Sequence, residues 1–468
     1  MENPLKYLQQ RQGEDWLLGY DREQLYLLTH DFYQQFIQLS TPEKPAKILL
    51  ASNDTLQFLA SFTAAVAANC HVFLCNPNWK SSEWEQVWQL VKPDLIIGVY
   101  LPFSSVDYHL SSPPLTGSGL IMIPTGGSSG KIRFVMHTWE TLTASAKGFA
   151  NFFNEHNVNY FCILPLYHVS GLMQFIRSLI TGGKLIIMPY KKIKHTINHD
   201  VSFGFNKIDF GDFFLSLVPT QLQLLITENP TWLSQFKTVL IGGAPAWTQL
   251  LDAARKQRIK IALTYGMTET ASGIAILKTN AFLQGNYSCG EVLPHAKVEI
   301  QHSHQELSSN SESGIVQIET HSLYLGYYPQ LRSNSDFFTT DDLGYFDNQG
   351  YLNITGRYSQ KIISGGENIF PQEVETAILA TKLVKDVCVI GLPDNKWGEA
   401  VTAIYVPQNN QISLTQIQTS LADKLSKFKQ PKHWIAQEFL PRNLQGKLNY
   451  KEIKAIATKM VTAETFHG

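Results

Sequence analysis

From residue 46 onward, short apolar runs alternate with amphipathic segments. Residues 46–52 (AKILLAS) predict a buried strand, 55–70 (TLQFLASFTAAVAANC) a helix and 71–77 (HVFLCNP) a strand. A helix at 81–92 (SSEWEQVWQLVK) and a strand at 94–99 (DLIIGV) follow. The alternation resumes with a helix at 140–153 (ETLTASAKGFANFF), a strand at 160–166, a helix at 169–180 (VSGLMQFIRSLI) and a strand at 184–189. Further strands at 213–219, 238–244 and 261–266 enclose helices at 220–226 and 247–257. Alternation of this kind builds a mainly parallel sheet covered by helices. Residues 191–207 mix charged and apolar side chains without a period and read as a loop.

Near residue 285 the texture changes. AKVEIQ (296–301), GIVQIET (314–320) and GYLNITG (350–356) alternate with period two between polar turns, which predicts a small antiparallel unit. Beyond Gly356, segments such as PQEVETAILA, VKDVCVIGL and LTQIQTSLADKL predict a separate α+β domain, entered through the polar hinge 356–361. The expected architecture is therefore α/β. A large N-terminal domain, 1–356, holds helix-covered, mainly parallel sheets and a small β subdomain, and a small mobile α+β domain, 357–468, follows.

Composition narrows the partners. Of 468 residues, 38 are Lys or Arg and 39 Asp or Glu, so the net charge is −1. That removes the electrostatic case for a nucleic-acid or anionic-membrane partner, and any anion must be recognised locally. The five cysteines, Cys70, Cys75, Cys162, Cys289 and Cys388, include no Cys-x-x-Cys pair and read as buried thiols in a reducing compartment. The first residues lack the basic-then-apolar order of a signal peptide, and no run reaches the ~18 apolar residues of a membrane span, so a cytoplasmic location is expected.

The segment 123–134, IPTGGSSGKIRF, carries the first chemical signal. A glycine- and hydroxyl-rich loop after a strand lets backbone amides approach a polyanion, here with Lys131 and Arg133 to neutralise it. Ile132 after Lys131 breaks the Walker pattern, and no Gly-x-Gly-x-x-Gly is present. TYGMTET (264–270) ends an apolar strand and offers the hydroxyls of Thr268 and Thr270 and the hard oxygen ligand Glu269. TTDDLGY (339–345) presents Asp342, SGGENIFP (364–371) a second glycine loop, and PRNLQGKLNY (441–450) presents Lys447. Taken singly, each is also explained as a surface loop, a helix cap, a turn carboxylate or a surface lysine.

Their order decides between these readings. PTGGSSGK, IGGAP, TYGMTET, TTDDLGY, GRYSQKIISGGENIFPQEVE and PRNLQGK follow one another as in the AMP-forming adenylating superfamily of acyl-CoA synthetases, adenylation domains and luciferases, which the chain resembles over residues 45–455. The resemblance implies ATP, Mg²⁺ and the co-substrate coenzyme A, and a two-domain ligase that activates a small-molecule carboxylic acid. It makes Thr125, Gly126, Gly127, Ser128, Ser129, Gly130, Lys131 and Arg133 the phosphate loop, and Gly243-Ala244-Pro245 an adenine shelf. Tyr265 and Gly266 would face adenine, Thr268 the α-phosphate, Glu269 the Mg²⁺, and Asp342 with Arg357 the ribose. Lys447 would serve adenylation, His168 would gate the acyl pocket, and Gly365 and Gly366 would line a pantetheine tunnel after rotation of the small domain. The bland alternative for His168 is an imidazole satisfied by a backbone carbonyl; His137 reads as packing at a helix entry.

Two segments depart from the pattern, the phosphate loop and the hinge. Gly126, Ile132 and Arg133 stand where the superfamily's phosphate loop has serine, proline and lysine, and Arg keeps the charge with a different geometry. Ser359 stands where a hinge Asp or Lys is common. Within the superfamily the variant loop most resembles that of the o-succinylbenzoate–CoA ligases of cyanobacterial and plastid type, in menaquinone and phylloquinone synthesis. Such a substrate has a second carboxylate that needs a cationic partner, for which Arg177 and Lys184 are near in sequence. Another aryl- or fatty-acyl-CoA ligase, or a nucleotide-binding paralogue with little ligase activity, remain the alternatives.

Overall fold

The computed structural model describes residues 3–99, 119–126, 131–190, 192–193, 208–302, 313–333, 335–422, 424–442 and 448–465. The strand–helix alternation resolves into two large sheets. In the first, Leu95–Ile97, Lys47–Leu50, His71–Leu74 and Ile121–Gly126 are parallel neighbours in that spatial order. Ile132–His137, Gly326–Tyr327 and Gln330–Leu331 extend it antiparallel. In the second, Leu17–Leu18, Leu185–Ile187, Asn159–Cys162, Phe213–Leu217, Thr238–Ile241 and Ile261–Met267 are parallel, and Ser272–Leu277 and Glu291–Val292 close the edge antiparallel.

Three helices lie between these sheets. Thr55–Ala67 starts at Asp54, whose carboxylate accepts from the Gln57 N–H. Trp139–Phe153 starts in a Thr138/Thr141 capping box and stops at Asn154 in the left-handed region, while Val169–Thr181 stops at Gly182, φ 77°. One core runs from Ile48, Val72 and Ile121 through Phe62, Phe149 and Phe175 to Tyr160, Leu185 and Phe214. Each fully buried Phe contributes about 1.5–3 kcal/mol of burial free energy, so this core fixes the two sheets against each other.

The predicted strands at 296–301 and 314–320 are present as Ala296–Gln301 and Gly314–Thr320, in an antiparallel sheet with Phe338–Phe346 and Leu352–Arg357. A last sheet follows, built from Ile362–Ser364, Glu367–Ile369, Val384–Asp394, Gly398–Pro407 and His433–Ala436 and covered by Pro371–Leu379, Leu414–Leu421 and Tyr450–Thr465. Most predicted strands in the large sheets were too long, although 261–266 fell one residue short of Ile261–Met267. Residues such as Ala51, Cys75, Ile163 and Leu164 are buried in the connections beyond the strand ends, so apolar runs overshoot them. The helices Pro4–Gln10 and Arg22–Leu39 precede the region where the pattern begins. Residues 191–207, expected as a loop, lie almost wholly outside the described residues. No helix among the described residues is long and apolar enough to cross a membrane, and the five cysteines are free thiols.

Candidate active site

Strand Ile261–Met267 ends at the carboxyl edge of the parallel strands, where open α/β sheets collect their ligands. The chain then reverses through Thr268–Thr270, Ala271 (φ 51°) and Ser272 (φ 105°) into the antiparallel strand. Non-glycine residues in such conformations cost about 1–3 kcal/mol each and persist where the surroundings over-determine them. Here four successive carbonyls are each held from a different direction. The Thr268 carbonyl accepts from His137 Nε2 at 2.7 Å, Glu269 from the Tyr324 N–H at 2.8 Å, Thr270 from Ser322 Oγ at 2.9 Å and Ala271 from Ser145 Oγ at 2.7 Å. Gly266 completes the reversal, since a Cβ there would lie 2.1 Å from the Ser272 carbonyl oxygen.

His137 is more than packing at a helix entry. It is fully buried, and burial pushes its pKa down to about 4, so the ring is neutral. A carbonyl can only accept, which assigns the proton to Nε2 and leaves Nδ1 to Thr141 Oγ1 at 2.9 Å.

The turn projects Glu269, 9% exposed, toward strand Gly326–Tyr327. Tyr327 Oη donates to Glu269 Oε1 at 2.6 Å, and the Arg133 guanidinium lies 4.4 Å from the Tyr327 ring centre. Among the described residues Glu269 Oε2 makes no hydrogen bond. One carboxylate with one oxygen engaged and one available suits Mg²⁺, which keeps several waters and binds through one or two carboxylates plus substrate phosphates. The described residues hold no group of three metal-ligating side chains.

Asp342 is a second buried carboxylate. Asp342 on Phe338–Phe346 faces Arg357 on Leu352–Arg357 in register; its Oδ1 accepts from Arg357 Nε at 3.3 Å and its Oδ2 from Tyr265 Oη at 2.9 Å. Burial, and then the Asp342 charge, push the Tyr265 phenol well up, so it stays a donor. The Tyr265 hydroxyl thus fixes Asp342, and its body packs with Ile274, Val298 and Val316. Gly243 (φ 80°), Ala244 and Pro245 follow strand Thr238–Ile241 beside Thr264, whose Oγ1 donates to the Ile241 carbonyl at 3.1 Å. The neighbouring Asp341 accepts both the backbone N–H (2.9 Å) and the hydroxyl of Ser359.

At the glycine-rich hairpin, Thr125 pairs with Arg133 and Gly126 with Ile132, and Lys131 is exposed. Gly127, Ser128, Ser129, Gly130 and Lys447 lie outside the described residues. The segment bearing Lys447 is anchored on both sides. Arg442 bridges Leu448, the Asn449 N–H donates to the Pro441 carbonyl at 2.9 Å, and Arg442 Nη2 reaches both oxygens of Asp386 at 2.9 and 2.7 Å. Beside them Glu375 accepts from the Val389 N–H, and burial raises its pKa to about 7. Gly365 (φ 60°) and Gly366 (φ 84°) form an exposed hairpin tip in the last sheet. His168 precedes helix Val169–Thr181, with its ring 4.6 Å from that of Tyr167.

Sequence reasoning passed over Tyr327, Ser145 and Ser322, and mentioned Arg177 only by proximity. Arg177 is 4% exposed and its Nη atoms donate to Tyr160 Oη at 2.9 Å and Ser272 Oγ at 3.0 Å. Its guanidinium lies 4.0 Å from the Phe149 ring, and among the described residues no carboxylate pairs with it. Lys184 is exposed. The available signal was a lone arginine within the apolar stretch GLMQFIRSLI.

Two buried carboxylates each bonded to a tyrosine hydroxyl, a glycine-rich hairpin and a small terminal domain are the features of AMP-forming ligases. The profile of the AMP-binding enzymes matches residues 109–328, and that of the AMP-binding enzyme C-terminal domain matches 373–447. The chain belongs to this family of AMP-binding enzymes, alongside the 2-succinylbenzoate–CoA ligases. It is 31% identical to the 2-succinylbenzoate–CoA ligase of Enterococcus faecalis over 337 residues, covering 69% of this chain and 67% of that protein. With the Bacillus subtilis enzyme of the same name it shares 28% identity over 391 residues, 81% of this chain and 77% of the other. The fold matches o-succinylbenzoate CoA synthetase (MenE) from Bacillus subtilis in complex with the acyl-adenylate intermediate OSB-AMP, with a TM-score of 0.80 at 23% identity over 97% and 98% of the chains. ATP-bound MatB from Rhodopseudomonas palustris gives 0.79 at 20% identity, over 97% and 98%.

Proposed function

We propose that this protein joins 2-succinylbenzoate to coenzyme A through an acyl-adenylate, supplying menaquinone or phylloquinone synthesis. The observation that carries the adenylation site is the pair of buried carboxylates, Glu269 just beyond the parallel strand Ile261–Met267 and Asp342 on the antiparallel strand Phe338–Phe346, each fixed by a tyrosine hydroxyl. In the first step the substrate carboxylate attacks the α-phosphorus of ATP and pyrophosphate leaves; in the second the thiol of coenzyme A takes the acyl group and AMP leaves. The nucleophile is already ionised, so no general base is needed. The difficulty is repulsion between anions, on the order of 4 kcal/mol for unit charges ~4 Å apart at an effective dielectric near 20.

Asp342, oriented by Tyr265, accepts the ribose hydroxyls beside Arg357. Thr125 through Arg133 hold the β- and γ-phosphates, Thr268 meets the α-phosphate, and Gly243-Ala244-Pro245 with Gly266 border the adenine. Mg²⁺, held by Glu269, would neutralise charge moving onto pyrophosphate. Lys447 serves the same end at the carboxylate and α-phosphate. His168 borders the acyl pocket, and the second step brings Gly365 and Gly366 toward the thiol in place of Lys447.

Arg177 supports the choice of acid. A buried guanidinium without a carboxylate partner is costly unless a ligand supplies one, and the acid named in the relatives carries a second carboxylate. Free thiols throughout fit a reducing cytoplasm. The test is pyrophosphate release with ATP and Mg²⁺ across o-succinylbenzoate, benzoate, coumarate and a medium-chain fatty acid, with and without coenzyme A. A burst with o-succinylbenzoate alone, becoming steady turnover with coenzyme A, is the expected result. Turnover with another acid only would reject the substrate and keep the mechanism, while release without thioester would reject the acceptor.

A further inference from the structure

We propose that Tyr327 is the positioning residue of Glu269, and that its ring also seats the phosphate-loop cation Arg133, so that one side chain sets the metal ligand and the phosphate cation together. The inference rests on the reading of Glu269 as the Mg²⁺ ligand given above.

The strand Gly326–Tyr327 runs antiparallel to Ile132–His137, with Tyr327 opposite Val135. Arg133 lies two residues along the same face and is therefore the diagonal cross-strand neighbour, within reach of a long side chain. Its guanidinium sits 4.4 Å from the ring centre, inside the range of a cation–π contact. The same tyrosine donates to Glu269 Oε1 at 2.6 Å, a short charge-assisted bond. Burial, then the Glu269 charge, raise the Tyr327 pKa, so the phenol stays protonated.

The segment 324–327 thus grips Glu269 at both ends, the backbone through the Tyr324 N–H and the side chain through Tyr327 Oη. The Tyr327 ring is itself packed against Tyr324 at 5.2 Å, and Tyr324 against Phe338 at 5.2 Å. With Oε1 held, the carboxylate is limited to one orientation, and Oε2 is left for another partner. Arg133 is also where the chain departs from the superfamily's lysine. A planar guanidinium has a face to lay on an aromatic ring, whereas an ammonium is a point charge on a flexible stem. The arginine and the tyrosine explain each other.

The test uses Mn²⁺ as the metal probe, with free Mn²⁺ followed by electron paramagnetic resonance as the full-length protein is titrated in the presence of a non-hydrolysable ATP analogue. Tyr327→Phe keeps the ring and removes the hydroxyl. It is expected to weaken Mn²⁺ binding by about 10–100-fold, the usual effect of losing an outer-shell partner, with an unchanged thermal midpoint. Excess Mg²⁺ should restore its pyrophosphate release, while Glu269→Gln should not be rescued. Arg133→Lys should weaken the nucleotide analogue and leave Mn²⁺ affinity of the formed complex close to wild type. Wild-type Mn²⁺ affinity in Tyr327→Phe, with binding lost in Glu269→Gln, would overturn the positioning role alone. Wild-type affinity in Glu269→Gln would overturn the metal-ligand reading beneath it. If Tyr327→Phe lowers the thermal midpoint, the Mg²⁺ rescue decides: a variant that excess metal does not restore refutes the proposal.

Discussion

His137 ties the glycine-rich hairpin to the turn that bears Glu269, and it does so as a neutral ring. Its pKa falls from the ordinary 6.5 to about 4, so between these values the unfolded chain binds more protons than the folded one. Stability from this residue is therefore fully present above 6.5 and is lost as the pH falls toward 4. At about pH 5 the linkage amounts to roughly 2 kcal/mol, out of roughly 3 kcal/mol for the whole shift. His295, lowered to about 4 by burial and then by Arg177 and His321, adds a similar loss of its own. The perturbation is His137→Gln, whose amide N–H can still donate to the Thr268 carbonyl but does not titrate. Urea unfolding followed by tryptophan fluorescence, at about pH 7.5 and about pH 5, gives the acid-induced loss for each protein. Carboxylates and His295 are common to both and cancel in the comparison. The variant should lose about 2 kcal/mol less than wild type on acidification. Equal losses would refute a buried neutral His137 and with it the tautomer that holds Thr268.

Arg177→Met removes a buried cation and keeps its stem. It should cut kcat/KM for a dicarboxylic aryl acid by roughly 10–100-fold, the worth of a charge-assisted bond, and leave benzoate unchanged in the same pyrophosphate assay; equal loss with both acids would make Arg177 structural. Lys447→Ala should nearly abolish acyl-AMP formation and still convert supplied acyl-AMP to thioester in a rapid-quench experiment, whereas equal loss of both steps would contradict a two-arrangement cycle. Glu375 has a raised pKa, about 7 against 4.5, so the folded state holds its proton longer and this contribution is lost as the pH rises through that window. Glu375→Gln should remove a decline of up to about 3 kcal/mol between those values, read from urea midpoints of the full chain; an unchanged decline would show that Glu375 is ionised throughout.

The strands Ala296–Gln301 and Gly314–Thr320 were legible to the residue because one face is wet and the period is two. The reversal at 268–272 was not. Ala271 and Ser272 take positive φ without glycine, asparagine or proline to announce it, because hydrogen bonds from remote elements impose the turn. The strand Ser272–Leu277 was lost with it, and so was the split into two sheets, since residues near in sequence do not report which sheet they join. Helix Arg22–Leu39 leaves Leu27, Ile37 and Leu39 exposed, which blurs its amphipathic stripe. In the site, motif residues were readable because their spacing is local. Tyr327 on Glu269 and Ser272 on Arg177 join positions 58 and 95 residues apart, and only the fold makes them neighbours.

Ser359 is bonded to Asp341 through its backbone N–H and its hydroxyl, two donors without formal charge. A hinge fastened by an ion pair loosens as added salt screens it, since the Debye length shrinks from about 10 Å at 0.1 M to about 3 Å at 1 M. A neutral donor on a carboxylate gives salt much less to screen. In the proposed two-arrangement cycle, turning of the small domain is therefore expected to keep its pace from fresh to saline media, with ionic strength felt where polyanions are captured rather than at Ser359.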